Sequence, residues 1–197
     1  MRKIILASNN QHKIKEFREI FSDAEILSLC DIWYTDDIIE NGETFLENAL
    51  IKCNAVHKFL QEQWIEANII ADDSWLCVNA LDWKPWVYSA RYAWWHWDNV
   101  ANRKKLLEEL KWKNDRFAYF LCCIVEMFPD WEYIYNEWKT YWRILEEETW
   151  DNSFWYDCLF FSDDLHKSFW EATDEEKNKV SHRWRAVTGL LKKEKKW

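Results

Sequence analysis

The chain has 197 residues, of which 49% are apolar, and it carries a formal net charge of −9. This length suits one domain or two closely packed lobes, and the apolar content excludes disorder for most of the chain. The negative charge argues against a general nucleic-acid binder, although a few lysines and a metal ion can still hold a small anionic substrate. No apolar run suits a membrane span or a signal peptide, so we expect a cytoplasmic protein without a membrane partner.

The composition is unusual in its glycine and tryptophan content. The chain has 17 Trp but only 2 Gly and 2 Pro, whereas glycine alone normally makes up about 7% of a protein. Glycine is the usual residue wherever φ must be positive, so other residues must occupy such positions here. The 6 cysteines show no CxxC pairing, which predicts reduced and mostly buried thiols.

The first third of the chain alternates strand and helix patterns. Strands are predicted at Lys3–Ala7 and Ala24–Leu29, and amphipathic helices around residues 14–21 and 43–63. The Ser/Asn-rich turn at residues 8–13 joins the first strand to the first helix. Unpaired backbone N–H groups at such a helix start suit a phosphate group, but without glycines this signal is weak.

An apolar run, Ile69-Ile70-Ala71, leads directly into Asp72-Asp73-Ser74. The run predicts a buried strand whose charged end emerges at a surface or cleft. Two adjacent carboxylates are costly to bury unless a cation compensates them, and Mg²⁺ bridging carboxylates to a phosphate would do so. The alternative is that the two aspartates merely begin a turn, and these residues alone leave both interpretations open.

The rest of the chain continues the mixture of strands and helices, which predicts an α/β fold. We predict an amphipathic helix at Asn99–Leu110, a central strand at Phe117–Phe128 with a hairpin partner at Tyr133–Trp142, and a short strand at Leu159–Phe161. Thr173 with Glu176 has the form of a capping box that opens a helical turn. Ser181 is predicted to cap a last helix that extends through Leu191.

Six polar blocks stand in an order and spacing that resemble those of the inosine triphosphate pyrophosphatase family. They are Ser8-Asn9-Asn10 with Lys13, Gly42-Glu43-Thr44-Phe45 with Glu47-Asn48-Ala49, Ala71-Asp72-Asp73-Ser74, Val87-Tyr88-Ser89-Ala90-Arg91-Tyr92, Phe154 with Tyr156-Asp157, and Glu176-Lys177-Asn178 with Ser181-His182-Arg183. The resemblance covers essentially the whole chain and implies a single domain over residues 1–197.

The resemblance implies an enzyme that hydrolyses non-standard purine nucleoside triphosphates (ITP, dITP or XTP) to the monophosphate and pyrophosphate. The implied fold is a long, twisted mixed β-sheet with flanking helices, in two lobes around a central cleft. The implied enzyme depends on Mg²⁺ and is a homodimer. Which of the three substrates it prefers stays open.

The resemblance also implies the roles of individual residues. The triphosphate would be contacted by Ser8, Asn9, Asn10, Lys13 and Lys52. The metal would be held by Glu40 and Asp73, with Glu43 as the alternative to Glu40, and Asp73 would also accept the proton of the attacking water. Ser74 would touch the substrate. The base and the adjoining phosphate would be surrounded by Phe154, Trp155, Tyr156, Asp157, Lys177, His182 and Arg183.

The chain departs from the family pattern where the family has glycine. Tryptophan stands at these positions, which are Trp75, Trp83, Trp86, Trp94, Trp142, Trp155 and Trp184. Of these, we predict that Trp155 damages function most, because its indole must fill the base pocket or push the loop outward. Two alternatives to the active enzyme follow: a catalytically dead, glycine-depleted engineered variant that at most binds nucleotide, and a tryptophan-rich interaction protein.

Overall fold

The computed structural model describes residues 2–93, 98–149 and 155–194. Phe154 and Trp94, which the sequence singled out, lie outside the described residues. No helix in these ranges is long and apolar enough to cross a membrane. All six cysteines are free thiols, and five of them are buried, as their sequence context predicts.

The described residues form a seven-stranded sheet with flanking helices. In sheet order β2-β1-β3-β4-β5-β6-β7, the strands are β1 (Arg2–Leu6), β2 (Ala24–Leu27), β3 (Asn68–Val78), β4 (Phe117–Met127), β5 (Tyr133–Ile144), β6 (Phe160–Ser162) and β7 (Lys167–Ser168). β1 pairs in parallel with β2 and β3, whereas β6 pairs antiparallel with β5 and β7. The sheet is therefore mixed, which confirms the predicted α/β class.

Five α-helices accompany these strands in the described ranges. They are α1 (Gln11–Ile20), α2 (Phe45–Glu62), α3 (Asn99–Leu110), α4 (Asp174–Val180) and α5 (His182–Glu194). Short 3₁₀ helices lie at Asn79–Leu81, Trp86–Arg91 and Asp157–Leu159. Capping boxes open two of the α-helices: Thr44 and Glu47 cap α2, and Thr173 and Glu176 cap α4. The predicted capping box at Thr173 is thus confirmed.

The chain forms two compact units. The first comprises Met1–Asp73, Cys122–Trp138 and Arg183–Trp197, and the second comprises Ser74–Leu121 and Lys139–His182. The prediction of a single domain over residues 1–197 stays a prediction.

In the first unit, alternate residues of each strand face different hydrophobic clusters, as the period of a β-strand requires. Ile4 and Ile70 pack in a cluster with α1 residues and with Val187 of α5. Ile5 and Ile69 pack in another cluster with α2 residues, among them Val56. The first unit therefore places α1 and α5 against one face of its part of the sheet and α2 against the other.

The second unit has its own core of large aromatic side chains. Phe120 of β4, Trp142 of β5 and Phe160 of β6 are all fully buried in it, and Leu106 of α3 packs in the same cluster. Phe120 stacks on Phe160 with ring centroids 4.4 Å apart. This aromatic core supports the loop that carries Trp155.

The prediction that Asp72 and Asp73 stand at the end of a strand or begin a turn is wrong. β3 continues through both residues as far as Val78, and the two aspartates are only 3% and 6% exposed. Buried carboxylates are tolerated inside a strand when cations or hydrogen bonds compensate them. Lysine and arginine side chains from other elements do so here, and residue spacing near the strand gives no sign of them.

Among the described residues, six tryptophans adopt a positive φ, the backbone region that favours glycine. They include Trp83 (69°), Trp86 (52°) and Trp155 (54°), three of the positions where the family resemblance expects glycine. Trp33, Trp64 and Trp131 are the other three. Trp75, Trp142 and Trp184 instead lie inside β3, β5 and α5, where no positive φ occurs. A residue with a Cβ is destabilised by about 1–2 kcal/mol when its backbone adopts this region.

Candidate functional site

The predicted phosphate turn between β1 and α1 is held by its own polar side chains. The Oδ1 of Asn10 caps α1 by accepting hydrogen bonds from the N–H groups of His12 (3.0 Å) and Lys13 (3.4 Å). The N–H of Asn10 donates to the Oγ of Ser8 at 3.1 Å, and the Oδ1 of Asn9 accepts from the N–H of Cys30 at 2.8 Å. The turn is therefore fixed at the helix N-terminus, an end that favours anions.

Asp72 lies at the centre of a buried ion-pair network in the first unit. Its Oδ1 is 2.9 Å from the Nζ of Lys13, and its Oδ2 accepts a hydrogen bond of 3.1 Å from the Nε of Arg183. The other side of the Arg183 guanidinium donates to Glu16 of α1. Although burial disfavours the charge, Lys13 and then Arg183 hold the pKa of Asp72 well below its usual range. Asp72 is therefore a permanent anion that orients Lys13.

Lys52 of α2 connects both aspartates to Glu40. Its Nζ donates to the backbone carbonyl of Asp72 and to the Oε2 of Glu40, each at 2.8 Å, and lies 3.8 Å from the Oδ1 of Asp73. Burial disfavours the ammonium, but Asp73 and then Glu40 raise the pKa of Lys52. Lys52 is therefore a buried lysine that stays charged among carboxylates.

Asp73 has a different environment from its neighbour. It is buried, and its Oδ2 accepts a hydrogen bond of 3.3 Å from the Nδ2 of Asn48. Burial, reinforced by the nearby charge of Glu40, raises the pKa of Asp73 despite the opposing effect of Lys52. A carboxylate with a raised pKa is a stronger base than an ordinary aspartate, which suits proton abstraction from water.

The donor set of the first unit fits a hard divalent cation. Glu40 and Asp73 both approach Lys52 and present carboxylate oxygens, the ligands that Mg²⁺ prefers, while substrate phosphate and water commonly complete its shell. In the described ranges, no group of three His, Cys, Asp or Glu side chains is arranged to hold a metal alone. Glu43 is exposed, and its N–H donates to Glu47. The contact with Lys52 therefore favours Glu40 over Glu43.

The second unit contains the described residues of the predicted base-contacting set except Arg183, which belongs to the first unit. The Nζ of Lys177 is 2.6 Å from the Oδ2 of Asp157. The hydroxyl of Tyr156 donates to the backbone carbonyl of Ser89 at 2.9 Å. These contacts fix the residues that follow Trp155 in one conformation.

The rings of Trp155 and His182 both lie against Phe120 of β4. The centroid distances are 4.8 Å for Trp155, which is stacked, and 4.7 Å for His182. Trp155 is only 9% exposed, so its indole fills space inside the unit. Ser74 is also buried in this unit, on β3.

The predicted site residues thus fall into two groups, each within one unit. The first unit holds Ser8, Asn9, Asn10, Lys13, Glu40, Lys52, Asp73 and Arg183, and the second holds Ser74, Trp155, Tyr156, Asp157, Lys177 and His182. The sequence prediction assigned no role to Glu16, which contacts Arg183, or to Asn48, which donates to Asp73. It considered Asp72 only together with Asp73 as a carboxylate for Mg²⁺, and not as the partner of Lys13. Adjacent aspartates inside one strand signal Asp72, because neighbouring side chains must face different partners.

These features define an α/β protein with two acidic side chains buried at adjacent positions of one strand and contacted by basic side chains from helices. The sequence profile of the Ham1 family matches residues 4–193. The chain therefore belongs to the Ham1 family.

Curated relatives and solved structures agree with this assignment. A dITP/XTP pyrophosphatase of Clostridium perfringens is 45% identical in an alignment of 195 positions that covers 96% of each chain. The enzyme of the same name from Bacillus subtilis is 40% identical over 98% of this chain and 96% of its own. The Ham1 protein of Staphylococcus aureus superposes with a TM-score of 0.83 at 37% identity, covering 96% of each chain. A HAM1 protein from Coxiella burnetii gives 0.86 at 30% identity over the whole of both chains.

Proposed function

We propose that this protein hydrolyses non-standard purine nucleoside triphosphates (ITP, dITP and XTP) to the monophosphate and pyrophosphate. The observation that carries the proposal is the buried cluster of Lys13, Lys52, Asp72 and Asp73 in a chain whose relatives are named dITP/XTP pyrophosphatases. The names of the relatives do not favour the alternative of a variant that only binds nucleotide.

The charges of the cluster support a requirement for Mg²⁺. Four carboxylates (Glu16, Glu40, Asp72, Asp73) face three cations (Lys13, Lys52, Arg183), so the set does not by itself attract a triphosphate. Glu40 and Asp73 would hold the ion. When bound, Mg²⁺ supplies positive charge that neutralises the phosphate oxygens.

The side chains of the first unit then have distinct roles in the hydrolysis. Lys13 and Lys52 bind phosphate oxygens and stabilise the charge that develops as the α–β anhydride bond breaks. Asp73, which a hydrogen bond from Asn48 holds in place, accepts a proton from the attacking water. The turn at Ser8, Asn9 and Asn10 contacts the triphosphate with its N–H groups and amides.

The second unit supplies base recognition in this proposal. Ser74, Trp155, Tyr156, Asp157, Lys177 and His182, all of this unit, contact the base. A non-standard purine has a 6-oxo group where adenine has an amine, so donors such as Lys177 select the oxo base and leave an amine unpaired.

The activity is tested by measuring pyrophosphate and monophosphate release from ITP, dITP, XTP, ATP and GTP with Mg²⁺. We expect the first three to be hydrolysed with kcat/KM at least about 100-fold above that for ATP. Release of inorganic phosphate instead of pyrophosphate, or equal hydrolysis of ATP, would contradict the proposal.

The metal ligands are tested with a matched pair of variants. Glu40→Gln should raise the Mg²⁺ concentration needed for half-maximal activity, because it removes one charged ligand, whereas Glu43→Gln should leave it unchanged. The reverse result would assign the metal to Glu43.

We also propose a cytoplasmic homodimer, which light scattering and cell fractionation would test.

A further inference from the structure

Arg103 of α3 is a buried cation that no role proposed above uses. It is 1% exposed and lies among the largest fully buried side chains of the chain. Its Nε is 3.2 Å from the Oε2 of Glu148, which compensates its charge. A buried arginine is costly unless it is paired and hydrogen-bonded, so a hydrogen bond that it makes to the backbone indicates what it stabilises.

That contact is the backbone of the loop that carries Trp155. The Nη1 of Arg103 donates a hydrogen bond of 3.1 Å to the carbonyl oxygen of Trp155. Trp155 has a φ of 54°, a conformation that a residue with a Cβ keeps only when its surroundings hold it there. Arg103 therefore fixes the peptide unit that joins Trp155 to Tyr156.

The next residues depend on that peptide unit. Tyr156 is attached to Ser89 through its hydroxyl, and Asp157 pairs with Lys177. The N–H of Leu159 donates to the carbonyl of Tyr156 at 2.9 Å. If the Trp155 carbonyl rotates, the backbone direction of Tyr156 and Asp157 changes with it. The guanidinium fork suits this task, because it faces a carboxylate and a carbonyl in fixed directions at once.

We propose that Arg103, charge-compensated by Glu148, is a positioning residue that holds the 155–157 loop in the conformation needed for substrate binding. This proposal rests on the proposed function, since the loop is the one assigned to the base. Arg103 acts through the loop backbone and touches no substrate.

The test compares Arg103→Met with Arg103→Lys and with Lys104→Met, the exposed neighbour on the same helix. At matched folded fraction, Arg103→Met should raise KM for ITP about tenfold, because it removes one charge-assisted hydrogen bond to the loop. Its kcat should stay within about twofold of the parental value. Arg103→Lys should restore the folded fraction, but its KM should lie between those of the parent and Arg103→Met, because one ammonium cannot replace both ends of the guanidinium fork. Lys104→Met should match the parent.

Hydrogen exchange separates this proposal from the proposed function. Arg103→Met should accelerate exchange of the Leu159 amide while leaving amides of β3 protected, whether or not ITP is hydrolysed. If the parent does not hydrolyse ITP, the proposed function fails and exchange alone decides the role of Arg103. Unchanged exchange at Leu159, a parental KM in Arg103→Met, or an equal effect of Lys104→Met would overturn the positioning role.

Discussion

Asp72 and Asp73 are adjacent in sequence, yet their pKa values are shifted in opposite directions. Lys13 and Arg183 lower the pKa of Asp72 against the effect of burial, whereas burial raises the pKa of Asp73. Two carboxylates with environments this different are suited to different tasks. In our account, Asp72 holds Lys13 in place and Asp73 serves as the base.

Asp72→Asn and Asp73→Asn should lower the free energy of unfolding by different amounts. We expect Asp72→Asn to lower the free energy of unfolding by about 3 kcal/mol, because it leaves Lys13 and Arg183 buried beside a neutral group. Asp73→Asn should cost much less, because it also removes a desolvated carboxylate from the vicinity of Glu40. Urea denaturation of both variants at pH 7 measures the difference. Equal losses would mean that the two environments do not differ as the structure indicates.

The pH dependence of stability should show the same opposition. The lowered pKa of Asp72 means that its contribution is complete above its unfolded value of about 3.9 and is lost as the pH falls below it. The raised pKa of Asp73 acts in reverse: the folded state binds the extra proton, so stability falls as the pH rises through that pKa. Relative to Asp73→Asn, the parent should therefore lose stability from about pH 4 upward. Parallel stability curves for the two proteins would refute the shift at Asp73.

At the scale of elements, the turns carry tryptophan in the left-handed region of φ. Trp64 follows α2 with a φ of 57° and is 95% exposed. Its side chain gains almost nothing by burial, so the backbone strain is uncompensated. Trp112, after α3, is 87% exposed and is not among the residues with positive φ.

These two exposed tryptophans allow a matched test of backbone strain. Trp64→Gly should raise the free energy of unfolding by about 1 kcal/mol, because glycine adopts this φ without a Cβ penalty. Trp112→Gly should leave stability unchanged or lower it, because glycine there only increases the entropy of the unfolded chain. Thermal unfolding compares both with the parent. A gain in stability at Trp112 equal to that at Trp64 would show that strain is not the cause.

Trp155 should be the tryptophan whose replacement most improves activity. Its indole lies on Phe120 beside Tyr156 and Asp157, inside the unit that carries the base-contacting loop. We expect Trp155→Gly to raise ITP hydrolysis by more than about tenfold, because it removes the indole that fills space beside the base-contacting residues. Trp75→Gly and Trp184→Gly should raise it less at equal folded fraction. If Trp155→Gly leaves ITP hydrolysis unchanged while Trp75→Gly or Trp184→Gly raises it, then Trp155 is not the residue that obstructs activity.

At the scale of the whole molecule, apolar periodicity and capping residues predicted the helices and strands. The order of the polar blocks that resemble the family predicted the candidate site residues. The helix at Asn99–Leu110 and the cap at Thr173 follow from periodicity and capping chemistry within a few residues. The contacts of Asp72 could not be predicted locally, because Lys13 and Arg183 are distant in sequence and meet it only through packing of α1 and α5. For the same reason the strand was expected to end at the aspartates, although buried cations allow it to continue.

The central claim is that Asp73 activates water for pyrophosphate release in the presence of Mg²⁺. Its most direct test is the initial rate of pyrophosphate release from ITP, with Mg²⁺ and with EDTA, for the parent and for Asp73→Asn at matched folded fraction. We predict one IMP and one pyrophosphate per ITP in the parent, no turnover with EDTA, and a rate at least about 100-fold lower in Asp73→Asn. A near-parental rate in Asp73→Asn, or turnover unaffected by EDTA, would contradict the account.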